Sequence, residues 1–233
     1  IAGLALDTLV GSEEDLREIG PSFFFGVPRI WEKLQYQILI RSRDARPLAR
    51  RAFERALALA TPVAERSIAN GGRPASLRDG LLGWLLRGAV FSNLLASVGL
   101  DRVRVAMTGG ASISPSVILF FRAMGVPIFQ IYGMTETSGA THAQTPERSR
   151  LGWCGPLLPG LAEQRITDDG ELQVRGAIVF NGYLHDDAAT AAAFDDGWLR
   201  TGDVVELDAA TGEVQIVDRK KAILITSGGS VLE

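Results

Sequence analysis

The sequence is poor in the residues that build disulfides and metal sites. It holds one cysteine, Cys154, and two histidines, His142 and His185, in 233 residues. A lone thiol excludes an intramolecular disulfide and fits a reducing compartment. The two histidines do not stand at zinc-site spacing from Cys154. A basic surplus is also missing. Lys and Arg number 24 against 27 Asp and Glu, a formal net charge of -3, which gives no general attraction to nucleic-acid phosphates. No apolar run reads as long enough to span a bilayer, and no secretory signal opens the chain. What is present, 46% hydrophobic and 22% charged residues, is the make-up of a globular protein of one large domain or two small ones. The chain starts at Ile1 and stops at Glu233, just past Ser227-Gly228-Gly229. Loops of that kind ordinarily lead into another element, so the expectation is a fragment.

Residues 13–19 carry a short helical pattern. Ser22-Phe23-Phe24-Phe25-Gly26-Val27 reads as a buried strand, and Pro28 opens a helix through Trp31, Leu34 and Ile38. Residues 41–60 place Arg41, Arg43, Arg46, Arg50, Arg51 and Arg55 beside Leu48, Phe53, Leu57 and Leu59. Two readings of this basic amphipathic stretch stand: a solvated face over a packed stripe, or contact of the 43–55 helix with an anionic membrane surface. Asn70-Gly71-Gly72-Arg73-Pro74 is a break. Leu81, Leu82, Leu85, Leu86, Val90, Leu94 and Leu95 then predict a helix buried on one face.

Residues 103–107 read as a strand, 108–111 as a loop, 115–124 as a helix and 126–131 as a second strand. Ser114 is the expected cap and Pro115 the first helical residue. Strand–helix–strand implies parallel strands, so both following loops leave one carboxyl edge, where open α/β sheets bind ligands. Beyond Leu151 the strands shorten and turns multiply. Asp169-Gly170 is a hairpin signal and residues 188–194 a short helix. The predicted fold class is α/β: a mostly parallel sheet layered with helices, then a small β-barrel-like subdomain, then the first residues of a mobile C-terminal domain. The expected divisions are 1–150, 151–217 and 218–233.

Four groups of residues have chemical potential. Thr108-Gly109-Gly110-Ala111 is a tight turn or a place where backbone approaches a flat ligand. In Tyr132-Gly133-Met134-Thr135-Glu136-Thr137, Tyr132 can stack on a base and Gly133 leaves space. Thr135 and Thr137 can donate to phosphate, and Glu136 is a hard oxygen ligand suited to Mg²⁺. The alternative is a polar helix start capped by Thr135. Asp203, after Arg200-Thr201-Gly202, either accepts ribose hydroxyls or closes a hairpin. Asp218-Arg219-Lys220-Lys221 is a solvated turn or a joint between two bodies.

In that order the four groups resemble the adenylate-forming superfamily of acyl-CoA synthetases, luciferases and peptide-synthetase adenylation domains. Phe23-Phe24-Phe25-Gly26-Val27-Pro28-Arg29-Ile30-Trp31-Glu32-Lys33, with Asn181-Gly182-Tyr183, is similar to long-chain fatty-acid–CoA ligases. The resemblance implies ATP-dependent formation of an acyl-adenylate, then displacement of AMP by coenzyme A. No protein nucleophile is required, in keeping with the lack of a nucleophile elbow or Cys–His pair. It implies that Gly109, Gly110, Ala111, Gln130 and Tyr132 surround adenine. Gly133 would lie beside the acyl chain, Thr135 contact phosphate and Glu136 bind Mg²⁺. Asp203 and Arg219 would hold the ribose, and Lys221 would be the hinge between half-reactions. The implied partners are a fatty acid, ATP and coenzyme A, in the cytoplasm or at the inner face of a membrane. Two further readings stay open: a fatty acyl-AMP ligase serving a carrier protein, and a non-catalytic nucleotide-binding domain. The family's phosphate loop and its C-terminal adenylation lysine have no counterpart in these 233 residues, and Ala222 stands where a carboxylate is commoner. The chain alone is therefore expected to have little ligase activity.

Overall fold

A computed structural model of the chain describes residues 13–220, 224–225 and 231–232. They fall into two compact units: Ile1–Tyr132 with Gln144–Gly152, and Gly133–Ala143 with Trp153–Glu233. Helix α1 (Glu13–Ile19) precedes a parallel sheet of β1 (Phe23–Phe25), β2 (Val105–Thr108) and β3 (Ile128–Met134). Phe23 registers with Val105, and Ala106 with Ile128. The uninterrupted apolar run of β1 suits a parallel strand covered on both faces. Helix α6 (Pro115–Ala123) joins β2 to β3. It begins as the sequence predicts, with the Ser114 hydroxyl accepting the Ser116 N–H at 3.4 Å and Pro115 in the first turn.

The basic stretch is two helices rather than one: α2 (Pro28–Asp44) and α3 (Pro47–Ala69). Pro47 causes the break, because its ring excludes the helical region for the residue before it; Arg46 accordingly has ψ 146°. The expected 43–55 helix is thus interrupted at residues 45–46. Its packed stripe also differs. Phe53, Ala56, Ala60 and Ala64 are buried, whereas Leu48 and Leu59 are exposed. The alanines recur at helical spacing and let α3 lie close against α6. Around Trp31 the core is aromatic. Phe24 and Phe121 each meet its ring edge-on at 5.1 Å, and its indole N–H donates to the Gly26 carbonyl at 3.0 Å. A fully buried Trp keeps its polar atom satisfied this way.

Helix α4 (Leu77–Leu86), a π turn (Arg87–Phe91) and α5 (Ser92–Ser97) run on as one 21-residue helix, long and apolar enough to cross a bilayer by length and composition alone. The sequence reading expects no run of that length; Arg78, Asp79 and Arg87 lie within this one. Asp79 and Arg87 hold the helix to the first unit. Arg66 clasps Asp79 through two hydrogen bonds of 3.0 and 2.6 Å, and Arg87 donates to the carbonyls of Gly125 and Asp101. Phe91 and Leu95 are buried, but Leu77, Leu81, Trp84 and Leu85 are exposed, so the predicted buried stripe is only partly inside.

The second unit is a curled antiparallel half-barrel. The half-barrel sheet is built of β5 (Glu163–Ile166), β6 (Glu171–Arg175), β7 (Phe194–Asp195), β8 (Trp198–Leu207) and β9 (Val214–Arg219); the unit also contains α7 (Asp187–Ala193) and, outside that sheet, β4 (Gly139–Ala143). The predicted β5–β6 turn forms with Gly170 at φ +84°. Register shifts between Glu171 and Gln173 and between Val204 and Val205 mark bulges, which bend a strand and re-aim its side chains. β10 (Leu224–Ile225) pairs antiparallel with β11 (Val231–Leu232). The fold is α/β, a helix-layered parallel sheet followed by the half-barrel.

Candidate functional site

In the first unit the parallel register brings the loop after β2 and the end of β3 to one sheet edge. Gly109 and Gly110 do different jobs there. A Cβ on Gly109 would lie 2.7 Å from Ile131 Cγ1 and 2.9 Å from the Ile131 carbonyl oxygen, so this glycine lets the loop press onto β3. Gly110 adopts φ +82° and would meet nothing nearer than Val27 Cγ1 at 4.0 Å. It is the glycine with open space beside it. Ala111 follows and is exposed. Gln130 is 8% exposed and tied into its surroundings. Its side-chain oxygen accepts the Gly152 N–H at 3.3 Å, and its backbone exchanges bonds with Gln144 at 3.0 and 2.9 Å. Tyr132 is buried, at 9% exposure.

In the second unit the chain leaves β3 through a single 3₁₀ turn, Thr135–Thr137. Thr135 does not cap it; the N-cap position is Met134. Thr137, expected to donate to phosphate, is buried and used locally. Its hydroxyl accepts the Met134 N–H at 3.1 Å and lies 2.7 Å from the Gly139 carbonyl oxygen. Gly133 has a packing reason for being glycine. A Cβ there would collide with the Gly139 carbonyl oxygen and sit 2.7 Å from Ala140 Cα. The space that the sequence reading gave to a ligand at Gly133 is taken by β4 backbone. Thr135 is exposed and Glu136 half-buried. The Glu136 carbonyl accepts the Phe180 N–H, and its Oε1 accepts the Tyr183 hydroxyl, both at 2.8 Å. This bond raises the pKa of the Tyr183 phenol.

Asp203 and Arg219 are register partners across β8 and β9. Arg219 Nε donates to Asp203 Oδ1 at 2.7 Å; the Asp203 side chain is 4% exposed and that of Arg219 70%. Both line a cleft of about 660 Å³ with Met134, Tyr183, Gly202 and Lys220. The floor is held by Glu171, whose Oε1 accepts the Gly202 N–H and whose Oε2 accepts Lys220 Nζ, both at 2.9 Å. Lys220 also donates to Asp169, and that bond, with a second from Thr167, holds the Asp169 pKa down to about 2. The second unit thus assembles Glu136, Asp203 and Arg219 with Tyr183, while the first gathers Gly109, Gly110, Ala111, Gln130 and Tyr132. Lys221 lies outside the described residues. Sequence reasoning gave no role to Glu171 or Lys220, whose carboxylate–ammonium contact joins two distant strands and has no local signature.

Residues 6–184 match the family model described as AMP-binding enzyme. The chain belongs to this family of AMP-binding enzymes. FadD11 of Mycobacterium tuberculosis, provisionally named a fatty-acid–CoA ligase, is 38% identical over 218 residues, covering 92% of this chain and 37% of the relative. The human long-chain-fatty-acid–CoA ligase ACSBG2 is 33% identical over 220 residues, covering 92% and 32%. The chain therefore spans about a third of the length of these relatives. Among solved AMP-binding structures, a malonyl-CoA ligase with methylmalonyl-CoA and AMP bound superposes with a TM-score of 0.54 at 27% identity, covering 94% of this chain and 39% of that one.

Proposed function

We propose that this chain is part of a fatty-acid–CoA ligase. It would serve ATP-dependent activation of a long-chain fatty acid to the acyl-adenylate, followed by transfer of the acyl group to coenzyme A. The observation that carries the reading is the Asp203–Arg219 pair at the lining of a cleft. A buried carboxylate beside a solvent-facing guanidinium offers an acceptor and donors together, the set that vicinal ribose hydroxyls require. In the first step a carboxylate oxygen of the fatty acid bonds to the α-phosphorus, and the bond to the β-phosphate breaks, releasing pyrophosphate. In the second, the coenzyme A sulfur bonds to the acyl carbon, its proton is lost, and AMP departs with the electron pair of the acyl–oxygen bond.

This chain's residues would bind and orient. Gly110, with open space beside it, and Tyr132 suit the adenine, and the exposed Thr135 suits a phosphate oxygen. Gln130 would serve adenine through whatever donor capacity its loop contacts leave. Among the described residues no cluster of three or more His, Cys, Asp or Glu is placed to hold a metal. The Glu136 carboxylate, a hard oxygen donor tethered by the Tyr183 hydroxyl, suits Mg²⁺ arriving with ATP, with phosphate and water oxygens as its other ligands. When bound, the cation would neutralise phosphate charge as pyrophosphate departs.

The test is ATP–pyrophosphate exchange by the full-length protein with fatty acids of graded length, beside Asp203→Asn. Loss of one charge-assisted hydrogen-bonding partner should weaken AMP binding by roughly 10- to 100-fold. Unchanged AMP affinity in Asp203→Asn would remove the ribose assignment. Exchange without acyl-CoA would transfer the reading to an acyl-AMP ligase, and no exchange with any fatty acid would overturn it.

A further inference from the structure

The segment Phe180-Asn181-Gly182-Tyr183 is held with more care than a surface turn requires. The Phe180 N–H donates to the Glu136 carbonyl at 2.8 Å. The Tyr183 N–H donates to Thr190 Oγ1 at 2.9 Å, and that hydroxyl donates to the Asp186 carbonyl at 2.8 Å. Asp186 in turn caps α7 by accepting the Ala189 N–H at 2.8 Å. Gly182 has φ +147°, and a Cβ there would lie 2.6 Å from Thr190 Cγ2, so only glycine brings the turn this close to α7. Phe180 meets the Tyr183 ring edge-on at 4.9 Å and stacks on Phe194 at 5.7 Å. The phenol is therefore aimed from both ends, by its backbone and by its ring.

Its target is the Glu136 carboxylate, 2.8 Å away, and Tyr183 also lines the cleft that holds Asp203 and Arg219. We propose that Tyr183 is the positioning residue for Glu136, fixing the carboxylate in the orientation that meets the nucleotide-bound cation. The proposal rests on the reading of Glu136 as the cation's protein ligand. A carboxylate has about four acceptor sites, and one phenol hydrogen bond occupies one of them. A free Glu side chain must lose its rotamer freedom when it binds a cation; a carboxylate already tethered has lost it beforehand. Supporting partners of this kind commonly govern how well a ligating carboxylate performs.

The experiment measures Mn²⁺ affinity by electron paramagnetic resonance on the full-length protein saturated with a non-hydrolysable ATP analogue. Tyr183→Phe keeps the ring against Phe180 and removes only the hydroxyl. The expected result is a roughly 3- to 10-fold weaker Mn²⁺ affinity, the net worth of one hydrogen bond. Glu136→Gln should weaken Mn²⁺ more, and adding Tyr183→Phe to it should have no further effect. Mn²⁺ affinity within twofold of the wild type in Tyr183→Phe, with Glu136→Gln impaired, would overturn the positioning role and leave the cation assignment standing. An equal Tyr183→Phe effect in the Glu136→Gln background would also overturn it. Unaltered Mn²⁺ affinity in Glu136→Gln would instead sink the cation assignment itself.

Discussion

Gly133→Ala probes the turn on which the site depends. The added methyl would run into the Gly139 carbonyl oxygen and come within 2.7 Å of Ala140 Cα, where ordinary contact begins near 3.4 Å. β4 must then retreat by about 0.7 Å at Ala140, and further at the carbonyl. The carbonyl is not free to swing, because it lies 2.7 Å from the Thr137 hydroxyl that also holds the Met134 N–H. Overpacking of this kind costs about 1–3 kcal/mol, and loss of the Thr137 bond adds about 1 kcal/mol. A total of about 2–4 kcal/mol corresponds to a fall in Tm of roughly 5–15 °C for a body of this size. Gly110→Ala is the control. Its nearest neighbour would be 4.0 Å away, so its cost is only that of a non-glycine residue at φ +82°, about 1–2 kcal/mol. The assay is calorimetric unfolding of both variants, with nucleotide binding measured alongside. Gly133→Ala melting within about 2 °C of the wild type would refute the argument, since a methyl cannot be accommodated there without moving β4.

Two further outcomes follow from buried titratable groups. His142 is fully buried against Thr141 and Gln164, and burial lowers its pKa below the usual 6.5. The unfolded chain then binds the extra proton first, so stability is complete above about pH 6.5 and declines as pH falls through that value toward the folded pKa; His142→Gln should flatten the decline of Tm between about pH 6.5 and 5, and an unchanged slope would remove His142 as its source. Burial pushes the Cys154 thiol up to about 11, leaving on the order of one thiolate in several thousand at pH 7.5; native protein should resist Ellman's reagent and react fully once unfolded, whereas full reaction within minutes in the native state would contradict its burial.

The strand–helix–strand unit was legible because its signals are local: Ser114 and Pro115 open α6, and apolar runs of strand length flank it. The motif order was legible for the same reason, each motif being a short contiguous string. The amphipathic stretch of residues 41–60 departs from its sequence reading in two respects, each with its own cause. Hydrophobicity ranks leucine above alanine, but the close face of α3 against α6 selects small residues, so Ala56, Ala60 and Ala64 went inside while Leu48 and Leu59 stayed out. Pro47 was present to be read as a break, since the residue before a proline leaves the helical region. The roles of Gly109 and Gly133 were not legible at all. Both glycines admit neighbouring backbone or side chains from other strands, and that requirement depends on register, which no local string encodes.

The same pattern runs through the residues that would meet ligand. Asp203 is buried, and a buried carboxylate is costly without a partner. Arg219, largely exposed, supplies one before any nucleotide arrives. Glu136 is likewise joined to Tyr183. A nucleotide entering this cleft therefore would not meet free charges; it would have to share acceptors already engaged. Binding strength then depends on the difference between old and new partners, while orientation is settled in advance. The loss on removing one partner should exceed the net worth of the bond it made, because the survivor is left desolvated. By that reasoning Arg219→Ala should destabilise the protein as well as weaken nucleotide binding, whereas Arg219→Lys should restore stability more than it restores binding. A lysine can neutralise Asp203, but it lacks the planar fork of donors that would serve Asp203 and a ribose together. Equal recovery of Tm and AMP affinity in Arg219→Lys would show that charge alone is what this position provides.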